Sequence, residues 1–241
     1  MNTIFTLPVL MMFLLTVITL IIILRGLKFT LRRSAIDQGK QGEIFLMSVA
    51  VITGWLIFLG TLSLNGFFSD FSLMPPRPLF AIFIPLPIVL IIAFSKQGTQ
   101  LLKAVPAQWL IYIQAFRIFV EIILWLAFLK NLLPLQMTFE GRNFDVLSGL
   151  LALPVGYFCF VSKKWPATIV LAYNILGILL LFNILIVALL SMPTTLRYFM
   201  NEPANTIVAT FPFIYLPGVL VPIAYTMHIF SLRRLQLGVD N

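Results

Sequence analysis

One apolar stretch of the sequence carries three polar side chains whose types could bind or relay a charged group. The stretch runs from Pro106 to Leu133 and contains Gln114, Arg117 and Glu121. In a binding or relay site, the arginine would hold an anionic group, the glutamate would exchange a proton or a cation, and the glutamine would orient a water or a substrate. The stretch is long enough to cross a bilayer as a helix. The sequence therefore places charged groups where lipid chains are expected.

The spacing puts these side chains on one face of the predicted helix. At about 100° per residue, Gln114, Arg117, Glu121 and Trp125 fall within roughly 60° of one another. A charge that faced lipid at mid-depth would cost about 2.5 to 3.5 kcal/mol. The polar face is therefore predicted to point at other helices or at a wet cavity.

A structural interpretation of the same residues stays open beside the functional one. Arg117 and Glu121 lie four residues apart, a spacing at which opposite charges on one helix form an ion pair. In that case the pair would neutralise itself, and it would fasten its helix to polar groups of later helices. Asn174 and Tyr225 are the candidates for those groups, and in a binding site they would line the same pocket.

A second polar run, TFEGRNFD, follows the predicted helix at residues 138–145. In the structural interpretation Glu140 starts a turn, Asn143 caps the next helix, and Asp145 sits in its first turn, where the helix dipole favours an acid. In the functional interpretation the run forms a mouth or lid over the pocket, and Glu140 and Arg142 touch a ligand. Both interpretations predict that the run lies on the outer side of a membrane.

The segments FRIFVE, at residues 116–121, and MTFEGRNFDVL, at residues 137–147, together resemble a stretch of uncharacterised bacterial polytopic integral membrane proteins. The resemblance covers about residues 114–150. It implies a location in the bacterial inner membrane, and it implies no activity.

The composition excludes several classes of protein. The chain is 61% hydrophobic and 10% charged, which leaves too little polar surface to cover a soluble globule, so membrane lipids are predicted partners. The formal net charge is +8, but the basic residues are scattered between apolar spans and form no clustered face for nucleic acid. Cys159 and His228 are each alone, so no disulfide, haem or histidine-rich metal site is predicted, and no cofactor.

Other motifs are absent from the sequence. It contains no GxxxxGK[ST] loop for a nucleotide and no G-x-S-x-G elbow, and its last predicted span lacks the lysine that a retinal Schiff base requires. No catalytic residue is predicted, and an enzyme acting on lipid is the third hypothesis.

The predicted fold class is all-α, a polytopic bundle of seven transmembrane helices in a single domain over residues 1–241. Two proline-rich segments mark its irregular parts: Pro85 and Pro87 should bend the third span, and residues 65–78 should form a loop. The spans are predicted at residues 4–24, 44–64, 79–94, 106–133, 144–161, 167–192 and 211–232.

The loop charges predict an orientation for these seven spans. Eleven of the sixteen lysines and arginines follow the first, third, fifth and seventh spans, and four lie at the opposite ends of the spans. Because cytoplasmic loops carry the excess of basic residues, the N-terminus is predicted outside and the C-terminus in the cytoplasm.

Two functions follow as hypotheses. The first is a transporter or receptor-like membrane protein that binds or moves a small solute or lipid-like ligand at a site built on Arg117 and Glu121. The alternative is a membrane scaffold or assembly subunit, in which the charge pair fixes helix packing and the loops or apolar flanks bind a partner protein.

Overall fold

The computed structural model describes residues 7–238, and within these residues the chain forms helices and irregular segments but no strand. In chain order the α-helices are α1 (Leu7–Arg33), α2 (Gln38–Leu64), α3 (Pro78–Phe83), α4 (Pro85–Phe94), α5 (Lys96–Ala104), α6 (Ala107–Tyr112), α7 (Phe116–Leu129), α8 (Val146–Gly156), α9 (Ala167–Leu190) and α10 (Val221–Gln236). A 3₁₀ turn, Ile113–Ala115, joins α6 to α7. Single π-helical turns extend α8 at Tyr157–Val161 and precede α10 at Leu216–Leu220.

Four helices are long and apolar enough to cross a membrane: α1, α2, the combined α6–α7 helix and α9. A fifth is added if Pro78–Phe94 and α5, which meet at an angle of 78°, count as one broken span. The predicted fifth span is a shorter apolar helix, Val146–Val161. The all-helical class is confirmed, whereas the number of seven spans and their orientation stay predictions.

Several predicted boundaries were wrong. The predicted loop between the first two spans is helical at both ends, because α1 continues to Arg33 and α2 already begins at Gln38. The loop predicted at residues 95–105 is α5, whose first turn is capped by the Ser95 hydroxyl accepting from Gly98 N at 2.9 Å. The last span begins at Leu216 instead of residue 211. Residues 4–6 of the first predicted span lie outside the described residues.

The third span is interrupted at its first proline. The α-helix stops at Phe83 and resumes at Pro85, since a proline has no N–H to continue the hydrogen-bond ladder, but Ile84 between them keeps helical backbone angles, so the predicted bend at this point stays a prediction. A second proline effect occurs at Pro222, which cannot donate to the carbonyl of Gly218 one turn earlier. Trp55 of α2 supplies the missing donor, with its indole Nε1 bonded to Gly218 O at 2.8 Å. The prolines therefore create acceptors that neighbouring helices satisfy.

Helix α7 lies at the centre of the packing. Its buried side chains join residues of α1, α9 and α10 in the largest apolar core. Helix α8 approaches α6 and α7 unusually closely, because its contact positions are glycines. A Cβ on Gly149 would lie 2.7 Å from Ile118 Cγ1, and one on Gly156 would lie 2.3 Å from Tyr112 Cε1. This close approach brings the start of α8 against the polar face of α7.

Candidate functional site

Arg117 is the centre of a buried polar network and has only 1% of its surface exposed. Its Nε donates to Asp145 Oδ2 at 2.7 Å, and one of its Nη2 hydrogens goes to Asp145 Oδ1. Nη1 donates to Ser148 Oγ at 2.7 Å and contacts His228 Nε2 at 3.1 Å, while Nη2 also reaches Gly177 O at 3.4 Å. A guanidinium has five N–H donors. All five therefore have an acceptor supplied by the protein.

The geometry around His228 fixes which ring nitrogen carries the proton. Arg117 can only donate, so His228 Nε2 must accept, and the proton of the neutral ring must lie on Nδ1. Nδ1 then donates to Asn174 Oδ1 at 2.9 Å. The Asn174 amide in turn donates to Val170 O at 2.8 Å and to Ser231 Oγ at 2.9 Å. The network thus continues from α7 through α10 to α9 with consistent donors and acceptors.

Gly177 allows the network to form where α9 crosses α10. A Cβ at this position would lie 2.3 Å from His228 Cε1 and 2.4 Å from His228 Nε2, and 3.0 Å from Ser148 Oγ. Gly177 is the eleventh of the 24 residues of α9, so the crossing lies near the middle of the helix. Any larger side chain there would push the imidazole away from Arg117.

Glu121 lies one turn beyond Arg117 on α7 and is equally buried. Its Oε1 accepts a hydrogen bond from Asn143 Nδ2. Its Oε2 has no hydrogen-bond partner within residues 7–238. A buried carboxylate oxygen without a donor is costly, and it therefore requires an explanation beyond packing.

The segment of residues 130–145 joins α7 to α8 and reaches deep into the bundle. Gly149 of α8 packs at the level of Ile118. Helix α7 continues eleven residues past Ile118, whereas α8 extends only three residues before Gly149. At a rise of about 1.5 Å per residue, α8 therefore starts about 12 Å short of the end of α7. The segment fills this gap.

The backbone of this segment is irregular but satisfied from within. Arg142 N donates to Gln136 O at 3.2 Å, and Asn143 N donates to Thr138 O at 3.1 Å. Its polar side chains also bond to other elements, as Gln136 Nε2 does to Ser191 Oγ at 3.0 Å. Asn143 and Asp145 of this segment are buried and line a cavity, whereas Phe139, Glu140 and Arg142 are exposed.

A partly enclosed cavity of about 60 Å³ lies beside Glu121. Its polar lining consists of Glu121, Asn143 and Asp145, and the remaining lining is apolar, much of it from α9 and from the start of α10. No lysine or arginine lines this cavity. It has room for several water-sized groups, since one water needs about 10 to 15 Å³ in this measure.

The structure brings together some of the predicted site residues and separates others. Arg117, Glu121, Asn143 and Asp145 meet at the cavity and its network, and Asn174 joins through His228. The predicted ion pair between Arg117 and Glu121 is wrong, because Arg117 pairs with Asp145. Gln114 is buried but bonds to Ala224 O, at 3.0 Å, outside the network.

The assignments of Tyr225 to the site and of Asn143 to the cap of α8 were also wrong. Tyr225 does not line the site, and its hydroxyl donates to Ile82 O at 3.1 Å beside the break in the third span. Asn143 does not cap α8; Asp145 takes the N-cap position, and Asn143 Oδ1 accepts from Asp145 N at 3.1 Å. Glu140 and Arg142 are exposed, with Arg142 lying over the ring of Phe199 at 5.1 Å.

Sequence reasoning missed Ser148, Gly177 and His228 as members of the network. His228 was considered as a haem or metal ligand and rejected as one, whereas in the structure it is fully buried against Arg117. A single histidine inside a span of low polarity is itself a signal, because an unpartnered imidazole is expensive in an apolar environment. Ser148 and Gly177 carry no signal of this kind, since small residues are common at contacts between such helices.

Two ion pairs lie in the loops, away from this network. Arg77 bonds to Asp70 at 2.9 Å and Arg197 bonds to Glu202 at 2.9 Å. Hydrogen bonds from Ser72, with the charge of Arg77, lower the pKa of Asp70, and hydrogen bonds from Arg197 and from the Ala204 N–H lower the pKa of Glu202. These carboxylates are solvated, so the pairs contribute little to stability.

Fold and site together define an all-helical protein with four helices able to cross a membrane, built around a buried arginine–carboxylate network. Residues 76–236 match the family model described as Domain of unknown function (DUF8737). Because the match covers more than half of the chain, the protein belongs to this family. Comparisons with curated proteins and with solved structures give no match. The matched region contains the whole network and the cavity, whereas α1 and α2 precede it.

Proposed function

We propose that this protein is a multi-pass integral membrane protein that binds or moves a small, lipid-like ligand at Glu121. The observation that carries the proposal is Glu121, whose buried Oε2 atom has no hydrogen-bond partner within residues 7–238 and whose side chain belongs to the lining of a mainly apolar cavity. Binding sites for small molecules are typically apolar clefts with a few polar groups that fix orientation. Ionisable residues inside a membrane bundle are also more often part of a functional site than of a purely structural one.

The proposal includes seven membrane-embedded elements with the N-terminus outside. Support comes from the ends of the helices: the basic ends of α1 and α10 and the short α5 lie together. Phe29 of α1 contacts Trp109 of α6 at 4.9 Å between ring centroids, and Arg234 of α10 donates to Val105 O at 2.8 Å. This end would face the cytoplasm, where basic residues concentrate.

In this arrangement the fifth element crosses the membrane in two parts. Helix α8 with its π-turn covers the cytoplasmic part, and residues 130–145 complete the outer part as irregular backbone. The start of α8 then points into the bundle beside the cavity, which is how interrupted helices build binding sites in many transporters. The sequence resemblance to bacterial polytopic proteins supports a location in the bacterial inner membrane.

Arg117 has a supporting role in this proposal. Since all five of its donors are occupied, an anionic ligand would have to displace Asp145 to reach it. The Arg117 network instead holds α7, α8, α9 and α10 at a fixed spacing and so shapes the cavity next to it. The ligand-binding part of the proposal therefore rests on Glu121.

A scaffold or assembly subunit is the second candidate, and the saturated Arg117 network favours it. A charge cluster that satisfies itself fixes helix packing without binding anything. The two candidates differ at Glu121, because a scaffold needs no access to Oε2, whereas a binding site does.

Chemical labelling separates the two candidates. N,N′-diisopropylcarbodiimide is small and apolar, and it modifies carboxylic acids that it can reach from a membrane. In the purified full-length protein in nanodiscs, we expect labelling at Glu121, read by intact mass and peptide mapping. Asp145 should stay unlabelled, since Arg117 holds it as a carboxylate.

Glu121→Gln should abolish the labelling, because the amide keeps the acceptor for Asn143 but cannot react. Glu43→Gln, an exposed carboxyl on α2, is the matched control and should leave the labelling at Glu121 unchanged. An unreactive Glu121 in the folded wild-type protein would reject the binding site and leave the scaffold.

A further inference from the structure

The charges around the cavity do not balance. Arg117 and Asp145 neutralise each other as an ion pair. Glu121 is then a second carboxyl, and its neighbouring cation, Arg117, is already paired with Asp145. An uncompensated carboxylate in such a place is strongly unfavourable, because neither water nor a counterion stabilises its charge. Neutrality requires either a proton on Glu121 or a cation in the cavity.

The hydrogen-bonding groups of the lining leave one atom open. Both Asn143 amide hydrogens are used, by Glu121 Oε1 and by Met137 O at 3.1 Å, and its oxygen accepts from Asp145 N. Both Asp145 oxygens are held by Arg117. The open atom, Glu121 Oε2, is an acceptor when the glutamate is ionised, and it can carry the proton when the glutamate is neutral. A ligand that bonds to the ionised glutamate must donate a hydrogen, and one that also carries a positive charge replaces the neutralising proton.

The rest of the lining selects an apolar body. One side of the cavity is formed along α9 by Leu181, Ile184, Leu185 and Ala188, and by Met192 just after the end of this helix. None of these side chains forms an ordinary hydrogen bond, and the thioether of Met192 makes only weak polar contacts. With a volume of about 60 Å³, the cavity holds a small head group and a few carbons.

Resting on the proposed function, we infer that the ligand of the Glu121 site is a protonated amine that carries an apolar chain. Its N–H would donate to Glu121 Oε2, its positive charge would neutralise the glutamate, and its first carbons would pack on α9. An anionic head group is disfavoured because it would bring further negative charge beside Glu121 and Asp145, and no lysine or arginine lines the cavity to receive it. A neutral alcohol would supply the hydrogen but not the charge.

Competition against the carbodiimide reaction tests the head group. The competitors share a twelve-carbon chain and differ at the head: N,N-dimethyldodecylamine, protonated at neutral pH; dodecyltrimethylammonium, equally charged without an N–H; dodecanol; and dodecanesulfonate. At about ten times its Kd a ligand leaves about one site in eleven empty, so the tertiary amine should slow labelling of Glu121 about tenfold. The quaternary ion should protect less, and the alcohol and sulfonate should protect little.

Equal protection by the alcohol and the amine would overturn the requirement for charge, and equal protection by the sulfonate would overturn the whole assignment. Both results leave Glu121 reactive without competitor, so the binding site itself would survive them. Failure of the proposed function is a different result, in which Glu121 does not react under any condition.

A second measurement does not depend on the labelling. The tertiary amine should raise the thermal unfolding midpoint of the wild type and of Glu43→Gln, but not that of Glu121→Gln. A shift of equal size in all three proteins would show that the amine acts through the detergent or lipid, and it would overturn the inference.

Discussion

Arg117 and Asp145 are 28 positions apart in the chain and form a bidentate ion pair in the interior of the bundle. The pair joins the early part of α7 to the N-cap residue of α8. Because Asp145 immediately precedes α8, the position of this helix along the bundle is set by the arginine.

Breaking this pair on one side should destabilise the protein strongly. Asp145→Asn leaves the Arg117 cation buried without a counterion and should cost about 3 to 5 kcal/mol. The double variant Arg117→Gln with Asp145→Asn removes both charges and should recover much of that loss. Thermal unfolding in detergent ranks the stability of the wild type, the single variant and the double variant. Glu202→Gln, in the exposed pair, is a control that should change stability little. A double variant less stable than Asp145→Asn alone would contradict the claim that the unpaired Arg117 charge causes the loss of stability.

The protonation site of His228 can be observed directly, because it is the only histidine of the chain. Nitrogen NMR of protein labelled at histidine should show a protonated Nδ1 and an unprotonated Nε2, since Arg117 donates to Nε2 and Asn174 Oδ1 accepts from Nδ1. In Asn174→Leu the Nδ1 proton should lose its acceptor and its resonance should move upfield. Protonation at Nε2 in the wild type would contradict the network as described.

A methyl group at Gly177 should disturb the network. Gly177→Ala places a Cβ within 2.4 Å of His228 Nε2, so we expect a loss of about 1 to 3 kcal/mol through overpacking. Gly54→Ala on α2 is the matched control, because nothing lies within 4 Å of its Cβ and alanine favours the helix by about 1 kcal/mol. The unfolding midpoints of the two variants should move in opposite directions. A similar loss in both would show that the close contact of α9 and α10 at Gly177 does not determine the stability.

The bond from Trp55 to Gly218 O should matter only while Pro222 is present. Trp55→Phe should cost about 1 to 3 kcal/mol, because Gly218 O then has no donor. Pro222→Ala returns a backbone N–H one turn after Gly218, so Trp55→Phe should cost clearly less in that background. A double-mutant cycle on unfolding midpoints measures the coupling, and additive effects would show that the carbonyl does not link the two residues.

The sequence was sufficient to predict an all-helical chain and the burial of Gln114, Arg117 and Glu121, since a charge within an apolar span of helical period must face inward. It was insufficient for the partner of Arg117. Spacing along one helix indicates only neighbours three or four residues away, and Glu121 is such a neighbour. Asp145 reaches Arg117 only because residues 130–145 descend into the bundle, and no periodicity in that segment indicates its depth.

The shortness of the apolar helix at residues 146–161 has a related explanation. The chain before it is irregular backbone, whose hydrogen bonds depend on Gln136, Thr138 and Asn143. Patterns of hydrophobicity cannot distinguish such a segment from an exposed turn, which is why Asn143 was interpreted as a cap.

Asn143 connects Glu121, in the cavity lining, to the start of α8. Its one amide group bonds to Glu121 on one side and to the first backbone N–H of the Asp145 turn on the other. When an occupant draws the glutamate toward itself, the amide must either follow or release one of its bonds. If the proposed site binds a ligand, occupancy of a cavity of about 60 Å³ would thereby act on the N-terminal end of α8.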